Sequence, residues 1–223
     1  MKFIEKIQKI DETLRYTFKT IIDYRMYKTV SSIVLIVALV YYNIIVTCVM
    51  FFFLLNLHSV SAFVTFIVYS MLSSTSGIFT YGFVSYVVLI RNRLHKVNEK
   101  LEEIVRFPPE VLEKQYKTKD ALCRELMRYT KIYKDLCSCV NDLNEIYGSS
   151  MVLHFAHDFT LLTTQIFSMF YIGFYEGFEE SFPKILALIV WLLPNIIKMS
   201  FICFSCHMTR NEVKKFCYGY DDI

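Results

Sequence analysis

The fold of this chain is decided by residues 29–90, which read TVSSIVLIVALVYYNIIVTCVMFFFLLNLHSVSAFVTFIVYSMLSSTSGIFTYGFVSYVVLI. The stretch contains no Asp, Glu, Lys or Arg. A soluble domain cannot hide so long an uncharged stretch, because its surface needs polar cover. A lipid bilayer can, since one spanning helix needs about 20 apolar residues. The sequence therefore predicts a membrane protein and not a soluble enzyme.

The overall composition agrees with this interpretation. Of the 223 residues, 55% are hydrophobic and 20% are charged, whereas soluble domains average about 45–50% and about 25%. The formal net charge is only +3, and the basic residues alternate with acidic ones instead of forming a stripe. Nucleic acid is therefore not expected as a partner.

The apolar stretches predict an all-α membrane protein with four transmembrane helices and long cytoplasmic helical extensions. The spans are predicted at residues 30–55, 60–90, 151–175 and 182–206. Pro194 lies inside the fourth span and is expected to kink it, because proline removes one helical hydrogen bond.

The charges of the loops predict the orientation. Residues 1–28 hold seven Lys and Arg against four acids, and residues 91–150 hold twelve against ten. The loop at 176–184 has one Lys against three Glu. Because Lys and Arg near the spans stay in the cytoplasm, both termini and segment 91–150 are expected there, in a multi-pass protein of the plasma membrane.

Five segments follow from the spans and loops. They are a cytoplasmic amphipathic segment at 1–28, a transmembrane hairpin at 29–90, a cytoplasmic helical stalk at 91–150, a second transmembrane hairpin at 151–206 and a cytoplasmic tail at 207–223. The amphipathic helix of the first segment is predicted from apolar residues at helical spacings: Ile4, Ile7, Leu14, Phe18, Ile21 and Ile22.

A heptad pattern predicts that the stalk is helical and buries one face. Its apolar positions alternate steps of four and three residues: Leu122, Leu126, Tyr129, Tyr133, Leu136, Val140, Leu143 and Tyr147. The second span continues with the same spacing until Phe107, Pro108 and Pro109 stop it. Such a face is buried either in a hairpin within the chain or between subunits. On the second alternative, the subunit interface contains Leu136, Val140 and Leu143.

Polar residues at the start of the third span are the first candidates for chemistry. His154 and Asp158 are four residues apart, so they share a helix face and are expected to form a hydrogen-bonded pair, with His157 beside them. Lys198 is expected either to extend toward the cytoplasm or to pair with such an acid. Ionisable groups inside a span are candidates for function, although structural pairing is the simpler interpretation.

The pattern Cys203-Phe204-Ser205-Cys206-His207 is that of c-type haem attachment, but it lies at a helix end predicted to be cytoplasmic. A zinc site at Cys203 and Cys206 would need two more ligands, from Cys137 and Cys139 or from His154 and His157. Buried, inert thiols are the ordinary alternative, so neither a cofactor nor a metal is predicted. Since no nucleophile triad, phosphate-binding glycine loop or carboxylate pair is recognisable, no enzyme activity is expected.

Aromatic residues accumulate where the spans reach the outer side. Most aromatics at such positions form an interface belt or pack between helices. A ligand pocket between helices uses the same residue types with a few polar groups. The candidates for ligand binding are Tyr69, Tyr171, Tyr175 and Trp191.

Four segments resemble the insect gustatory receptor family, a family of seven-span chemoreceptor channels. They are KIDETLRYTFKTIIDYRMYK at 9–28, YVVLIRNRLHKVNEKLEEI at 86–104, LCSCVNDLNEIYGSSMVLHFAHDFTLLTTQIFSMFYIGF at 136–174 and SFICFSCHMTRNEVKKF at 200–216. They are similar to that family's approach to the third segment, exit from the fourth, entry into the fifth and end of the sixth.

The resemblance implies that the four spans are the third to sixth of seven. The first two segments would precede the chain, and the seventh, with its Thr-Tyr pair and later Gln, would follow Ile223. It further implies a subunit of a ligand-gated cation channel that detects small-molecule tastants and assembles with like or different subunits into a tetramer.

Three alternatives remain open from the sequence. The related odorant receptor family is a close neighbour of the gustatory one. A haem- or metal-binding membrane protein would use Cys203, Cys206 and His207. A purely structural membrane protein would assemble through its stalk.

Overall fold

The structure is a computed structural model that describes residues 2–18, 60–106, 119–175 and 177–218, with isolated positions between 29 and 44. Four helices account for the main described ranges: α1 (Lys2–Phe18), α2 (Val60–Arg106), α3 (Lys119–Tyr175) and α4 (Phe178–Tyr218). These ranges contain no strand, as the all-α prediction requires. Most of the first predicted span, at 30–55, lies outside the described residues.

The chain divides into two compact units, each built from separate parts of the sequence. The first unit comprises residues 1–23, 84–148 and 204–223, and the second comprises 24–83 and 149–203. The five predicted segments stay a prediction, because they assign sides of a membrane.

Helix α1 is amphipathic, as predicted, and its buried face contains Ile7 and Leu14 of the predicted set but not Ile4. Phe3, Ile7, Ile10 and Leu14 are buried in the first unit, whereas Ile4 is 51% exposed. The prediction that Ile4 belongs to the buried face was therefore wrong. The steps of four, three and four residues from Phe3 follow a helical stripe more closely than a start at Ile4 does. Ile21 and Ile22 lie outside the described residues.

The core of the first unit lies between α2 and α3. The buried stripe of α3 keeps Tyr129, Leu136 and Leu143 of the predicted heptad but contains Ile132 and Cys139 in place of Tyr133 and Val140, which are half-buried. Leu94, Val97, Leu101 and Ile104 of α2 are buried, together with Tyr129, Ile132, Leu136, Cys139 and Leu143 of α3. The described part of α2 reaches Arg106, and the predicted stop at Phe107, Pro108 and Pro109 lies outside the described residues. Helix α3 runs on without interruption past Gly148 into the predicted third span.

Ion pairs attach α1 to this core. Arg93 of α2 donates to Asp11 from Nε to Oδ1 at 2.5 Å and from Nη2 to Oδ2 at 2.6 Å. On the α3 side, Lys6 Nζ donates to Asp142 Oδ2 at 2.8 Å and to Ser138 Oγ at 2.5 Å. The first pair is buried and the second is partly exposed.

The end of α4 also packs into the first unit. Asn98 Nδ2 donates to the backbone carbonyl oxygen of Glu212 at 2.9 Å and to its Oε2 at 3.1 Å. The rings of Tyr133 and Phe216 stack with centroids 3.5 Å apart and an interplanar angle of 7°. Polar and aromatic contacts therefore fix α4 to both α2 and α3 in this unit.

A tight turn joins α3 to α4 in the second unit. Gly177 has a φ of +81°, a conformation that glycine adopts without a steric penalty. Its carbonyl oxygen accepts hydrogen bonds from the backbone N–H of Ser181 at 3.2 Å and from Ser181 Oγ at 2.5 Å. Gly173 lies two residues before the end of α3. A Cβ added to Gly173 would lie 3.5 Å from Ile185 Cδ1 of α4. The two helices therefore approach closely near the turn.

The second unit exposes large apolar side chains on its outer faces, which is the arrangement expected of helices in lipid. On α3 these include Leu153, Phe159 and Phe167. Among the described residues, one stretch, Ser181–Phe216, is long and apolar enough to cross a membrane by composition. Helix α4 continues through Pro194, which is buried. The number of spans stays a prediction.

Hydroxyl groups on the exposed face of α3 are bonded to their own helix. Thr160, Thr163, Thr164 and Ser168 each donate to the carbonyl oxygen four residues earlier, over 2.8–2.9 Å. This back-bonding is the usual way in which a helix satisfies such hydroxyls away from water.

Candidate functional site

A buried ion pair lies at the centre of the second unit. Lys198 Nζ of α4 lies 2.8 Å from Asp158 Oδ1 and 2.7 Å from Oδ2 on α3. The Asp158 side chain is 3% exposed and that of Lys198 is 12% exposed. Of the two predicted alternatives for Lys198, the structure shows pairing with the acid.

Helix α2 joins this cluster through Ser76. Ser76 Oγ accepts a hydrogen bond from Lys198 Nζ at 3.2 Å and lies 3.2 Å from His154 Nδ1. The His154 ring also packs on Phe79, with centroids 4.9 Å apart. Side chains of three helices therefore meet in one polar cluster, which we define as Ser76, His154, Asp158 and Lys198.

The expected hydrogen bond between His154 and Asp158 is not formed. His154 turns to Ser76, and Asp158 is occupied by the ammonium group of Lys198. His157 Nδ1 lies 3.6 Å from Asp158 Oδ1. The shared helix face was correctly predicted, but a full positive charge is a stronger partner for a buried carboxylate than an imidazole is.

The polar cluster can hold helices together but offers no obvious chemistry on a substrate. Its carboxylate is already neutralised by an ammonium group. Separating the two charges in an apolar interior would leave both without compensation, which is costly. The cluster therefore stabilises the packing of α2, α3 and α4 against one another in this unit.

Gln165 is the second polar feature of α3 in this unit. It lies two helical turns beyond Asp158 and is 4% exposed, and neither Oε1 nor Nε2 has a hydrogen-bond partner. A buried amide without partners is uncommon in proteins because each unmade hydrogen bond costs free energy.

An open apolar groove of about 460 Å³ lies near the turn between α3 and α4. It is lined by Ile166, Met169, Phe170, Gly173, Phe174 and Ile185. The absence of a side chain on Gly173 leaves room at its floor. The groove has the apolar, aromatic lining typical of small-molecule sites.

Three of the four predicted ligand-binding residues have described side chains: Tyr171, Tyr175 and Trp191. Tyr171 and Tyr175 are exposed, and their rings contact each other with centroids 4.5 Å apart. Trp191 of α4 is half-buried. Tyr69 belongs to α2, but its side chain lies outside the described residues. Tyr171, Tyr175 and Trp191 are not among the described residues that line the groove.

The predicted subunit-interface residues face the core of the first unit. Leu136 is fully buried and Leu143 is 3% exposed, whereas Val140 is half-buried. Within a single chain, Leu136 and Leu143 are therefore already covered by neighbouring helices. Of the two predicted alternatives for the heptad face, a hairpin within the chain accounts for this burial, and a subunit interface at these residues stays a prediction.

The pattern from Cys203 to His207 does not assemble a metal site among the described residues. No group of three or more His, Cys, Asp and Glu side chains is close enough there to hold a metal ion. Cys203 and Cys206 are exposed on α4, and His207 Nε2 lies 3.1 Å from Asn211 Nδ2.

Gln165 was not predicted from the sequence. Ser76 was expected only as one of several hydroxylated residues of the second predicted span that hydrogen-bond between helices, and nothing distinguished it from its neighbours. Gln165 is an isolated amide in the apolar run of the third span. That isolation was a usable signal, because a polar side chain inside a span is expected to face the interior.

Comparison with known proteins now identifies the family. The 7tm chemosensory receptor family model matches residues 1–218. Neither the curated proteins nor the solved structures contain a match to this chain. The family match covers all four described helices and agrees with the predicted resemblance to insect gustatory receptors. The chain belongs to the 7tm chemosensory receptor family, whose members are receptors embedded in membranes.

Proposed function

We propose that this chain is a subunit of a gustatory receptor, a chemosensory cation channel that small-molecule tastants open. The observation that carries the proposal is the family match over residues 1–218. The proposed arrangement is multi-pass in the plasma membrane, with four spans and with both termini and segment 91–150 in the cytoplasm. The basic flanks of the spans support this orientation.

The proposed ligand site is the outer part of the second unit. The groove between Phe170 and Ile185 supplies apolar surface, and Tyr171, Tyr175 and Trp191 supply aromatic rings with polar atoms nearby. Ligand binding there would favour an open arrangement only if the ligand binds that arrangement more tightly.

A cell-based assay tests the receptor and channel functions together. Cells expressing the seven-span receptor that contains this chain would be exposed to sugars, bitter alkaloids and volatile alcohols while calcium entry is recorded. Entry evoked by the non-volatile compounds supports a gustatory receptor, and entry evoked only by the volatile ones supports an odorant receptor. Expressed chains that neither bind nor respond to any of these compounds would contradict the proposal.

Paired glycine variants test the position of the site. Gly173→Leu would fill the groove and is expected to abolish the response, because its side chain occupies the space that a ligand needs. Gly77→Leu is the matched control, since no atom lies within 4 Å of a Cβ added there. Equal responses of both variants would place the ligand elsewhere.

Assembly as a homo- or hetero-tetramer is part of the same proposal. Val140 is the informative position, because Leu136 is already buried within the chain. In a chain without its seven native cysteines, Val140→Cys would support an interface at the predicted residues if it forms disulfide-linked dimers in membranes. Met127→Cys in the same background provides the control, since Met127 lies outside the heptad face.

A further inference from the structure

The unpartnered amide of Gln165 points to the chemistry of the ligand. Both polar atoms of the Gln165 side chain are buried in the second unit without a hydrogen bond. Burial of an amide in this state is unfavourable, and inside a membrane-embedded bundle little water is at hand to compensate it. A bound molecule that offers both an acceptor and a donor would remove this cost.

The alignment of α3 and α4 shows what lies across from Gln165. These antiparallel helices are aligned by the Asp158–Lys198 ion pair and by the approach of Ile185 to Gly173. Gln165 follows Asp158 by seven residues on α3, and Trp191 precedes Lys198 by seven residues on α4. Both steps advance about 10 Å along the axis, so Gln165 and Trp191 lie at one level of the hairpin.

The charges near this level exclude an ionic ligand. The nearest charged residues along the two helices are Asp158, Lys198 and Lys184, each seven residues from this level. Asp158 and Lys198 neutralise each other, and Lys184 has a partner of its own. A charged ligand would therefore lose its hydration without gaining a counterion. An amide is neutral and both donates and accepts, so it matches a hydroxyl group, which does the same.

We propose that Gln165 binds the hydroxyl oxygen of a small uncharged ligand, with Trp191 providing apolar contact at the same level. This inference rests on the proposed receptor function and specifies the ligand class for it, namely neutral alcohols and polyols. Ligands that only accept a hydrogen bond can pair with Nε2 of Gln165 but not with its Oε1, so they bind less tightly. Hydrocarbons of the same size form neither hydrogen bond.

Trp191 provides a direct measurement of binding. It is the single tryptophan of the sequence, so its fluorescence in the purified chain reconstituted into lipid nanodiscs reports on this level alone. The probes are four molecules built on one ring: cyclohexanol, cyclohexanone, methylcyclohexane and protonated cyclohexylamine. Each is titrated at matched concentration in the lipid phase.

The expected order of affinity is alcohol, then ketone, then hydrocarbon, with no saturable response to the amine. Cyclohexanol is expected to bind about tenfold more tightly than methylcyclohexane, the ratio that one or two neutral hydrogen bonds provide. Gln165→Leu is expected to reduce this ratio to about one, because leucine keeps the volume and removes both polar atoms. Thr163→Val, on the exposed face of α3, is the matched control and should leave the ratio unchanged.

Three results would overturn this inference: equal affinities for alcohol and hydrocarbon, an unchanged ratio in Gln165→Leu, or no saturable response to any of the four probes. None of them bears on calcium entry evoked by tastants in cells, which tests the receptor function separately. A receptor that responds in cells but fails this titration would therefore have its ligand site elsewhere.

Discussion

The guanidinium group of Arg93 and the carboxylate of Asp11 form two hydrogen bonds inside the first unit, at 2.5 and 2.6 Å. The two side chains are 3% and 11% exposed, and they come from α2 and α1. This paired geometry is specific to arginine, because its planar fork matches the two oxygens of a carboxylate.

We expect Asp11→Ala to destabilise the protein by about 3–5 kcal/mol, since it leaves the Arg93 charge buried without a partner. The double variant Asp11→Ala/Arg93→Met should recover most of that loss, because it removes both charges. Thermal unfolding of the purified proteins in detergent measures the effect. Glu12→Ala, at the exposed neighbouring position, is the control. A double variant that is less stable than Asp11→Ala would contradict the assignment.

The loss of stability on replacing both Asp158 and Lys198 is expected to be smaller than the sum of the losses on replacing each one singly. Asp158→Asn and Lys198→Met should each lower stability by roughly 3 kcal/mol or more, because each leaves one buried charge. The double variant should be less affected than the sum, which a double-mutant cycle on unfolding midpoints measures. Additive effects would show that the two side chains do not interact.

The surface residue Lys131 provides the control for that cycle. It is exposed on α3, so Lys131→Met removes a lysine without uncovering a buried acid and should change stability by less than about 0.5 kcal/mol.

Cys139 is expected to be chemically inert at neutral pH. Burial raises the pKa of its thiol to about 11, so little thiolate is present to react. A chain with Cys139 as its single cysteine should be alkylated at pH 8 roughly 100-fold more slowly than one with only Cys123, which is exposed. The rate should rise with pH up to about 11, since the raised pKa keeps the thiol protonated below that value.

Denaturation supplies the control for the cysteine experiment. In unfolding conditions both chains should react at similar rates, because the burial that distinguishes them is gone. A native Cys139 that reacts as fast as Cys123 would show that the α3 face on which it lies is accessible.

The proposed orientation can be tested by labelling from either side of the membrane. In a cysteine-free background, Glu179→Cys is expected to react with a membrane-impermeant maleimide on intact cells, because position 179 lies in the predicted outer loop. A chain with only Cys123 should react after permeabilisation alone. Labelling of Cys123 on intact cells would reverse the orientation that the charge distribution predicts.

The features that local sequence patterns specify were predicted well. The extension of α2 to Arg106 follows from its apolar spacing beyond the second predicted span, and the helical course of α3 through residues 119–147 follows from its heptad spacing, since both depend on neighbours along the chain. The pairing of Lys198 with an acid was one of two predicted alternatives, because a charge inside an apolar span has few stable environments.

Contacts between distant parts of the chain were the ones missed. Arg93 and Asp11 are 82 positions apart, and no periodicity shows which buried acid meets which arginine. The same holds for His154, which bonds Ser76 and not the nearer Asp158. The error at Ile4 has a different origin. Phe3 and Ile4 lie four and three residues before Ile7, so either spacing fits the same helix face until a partner surface selects one of them.

The hydroxyl groups on the exposed face of α3 carry a consequence for how a span is recognised. Each of those four side chains donates its proton to the backbone of its own helix, so lipid around the predicted third span would meet little unsatisfied polarity. A hydropathy scale scores the same residues as polar and therefore overstates the free energy of placing this helix in lipid. For threonine and serine in a bilayer, the solvation cost depends on the nearest carbonyl and not on the residue type alone.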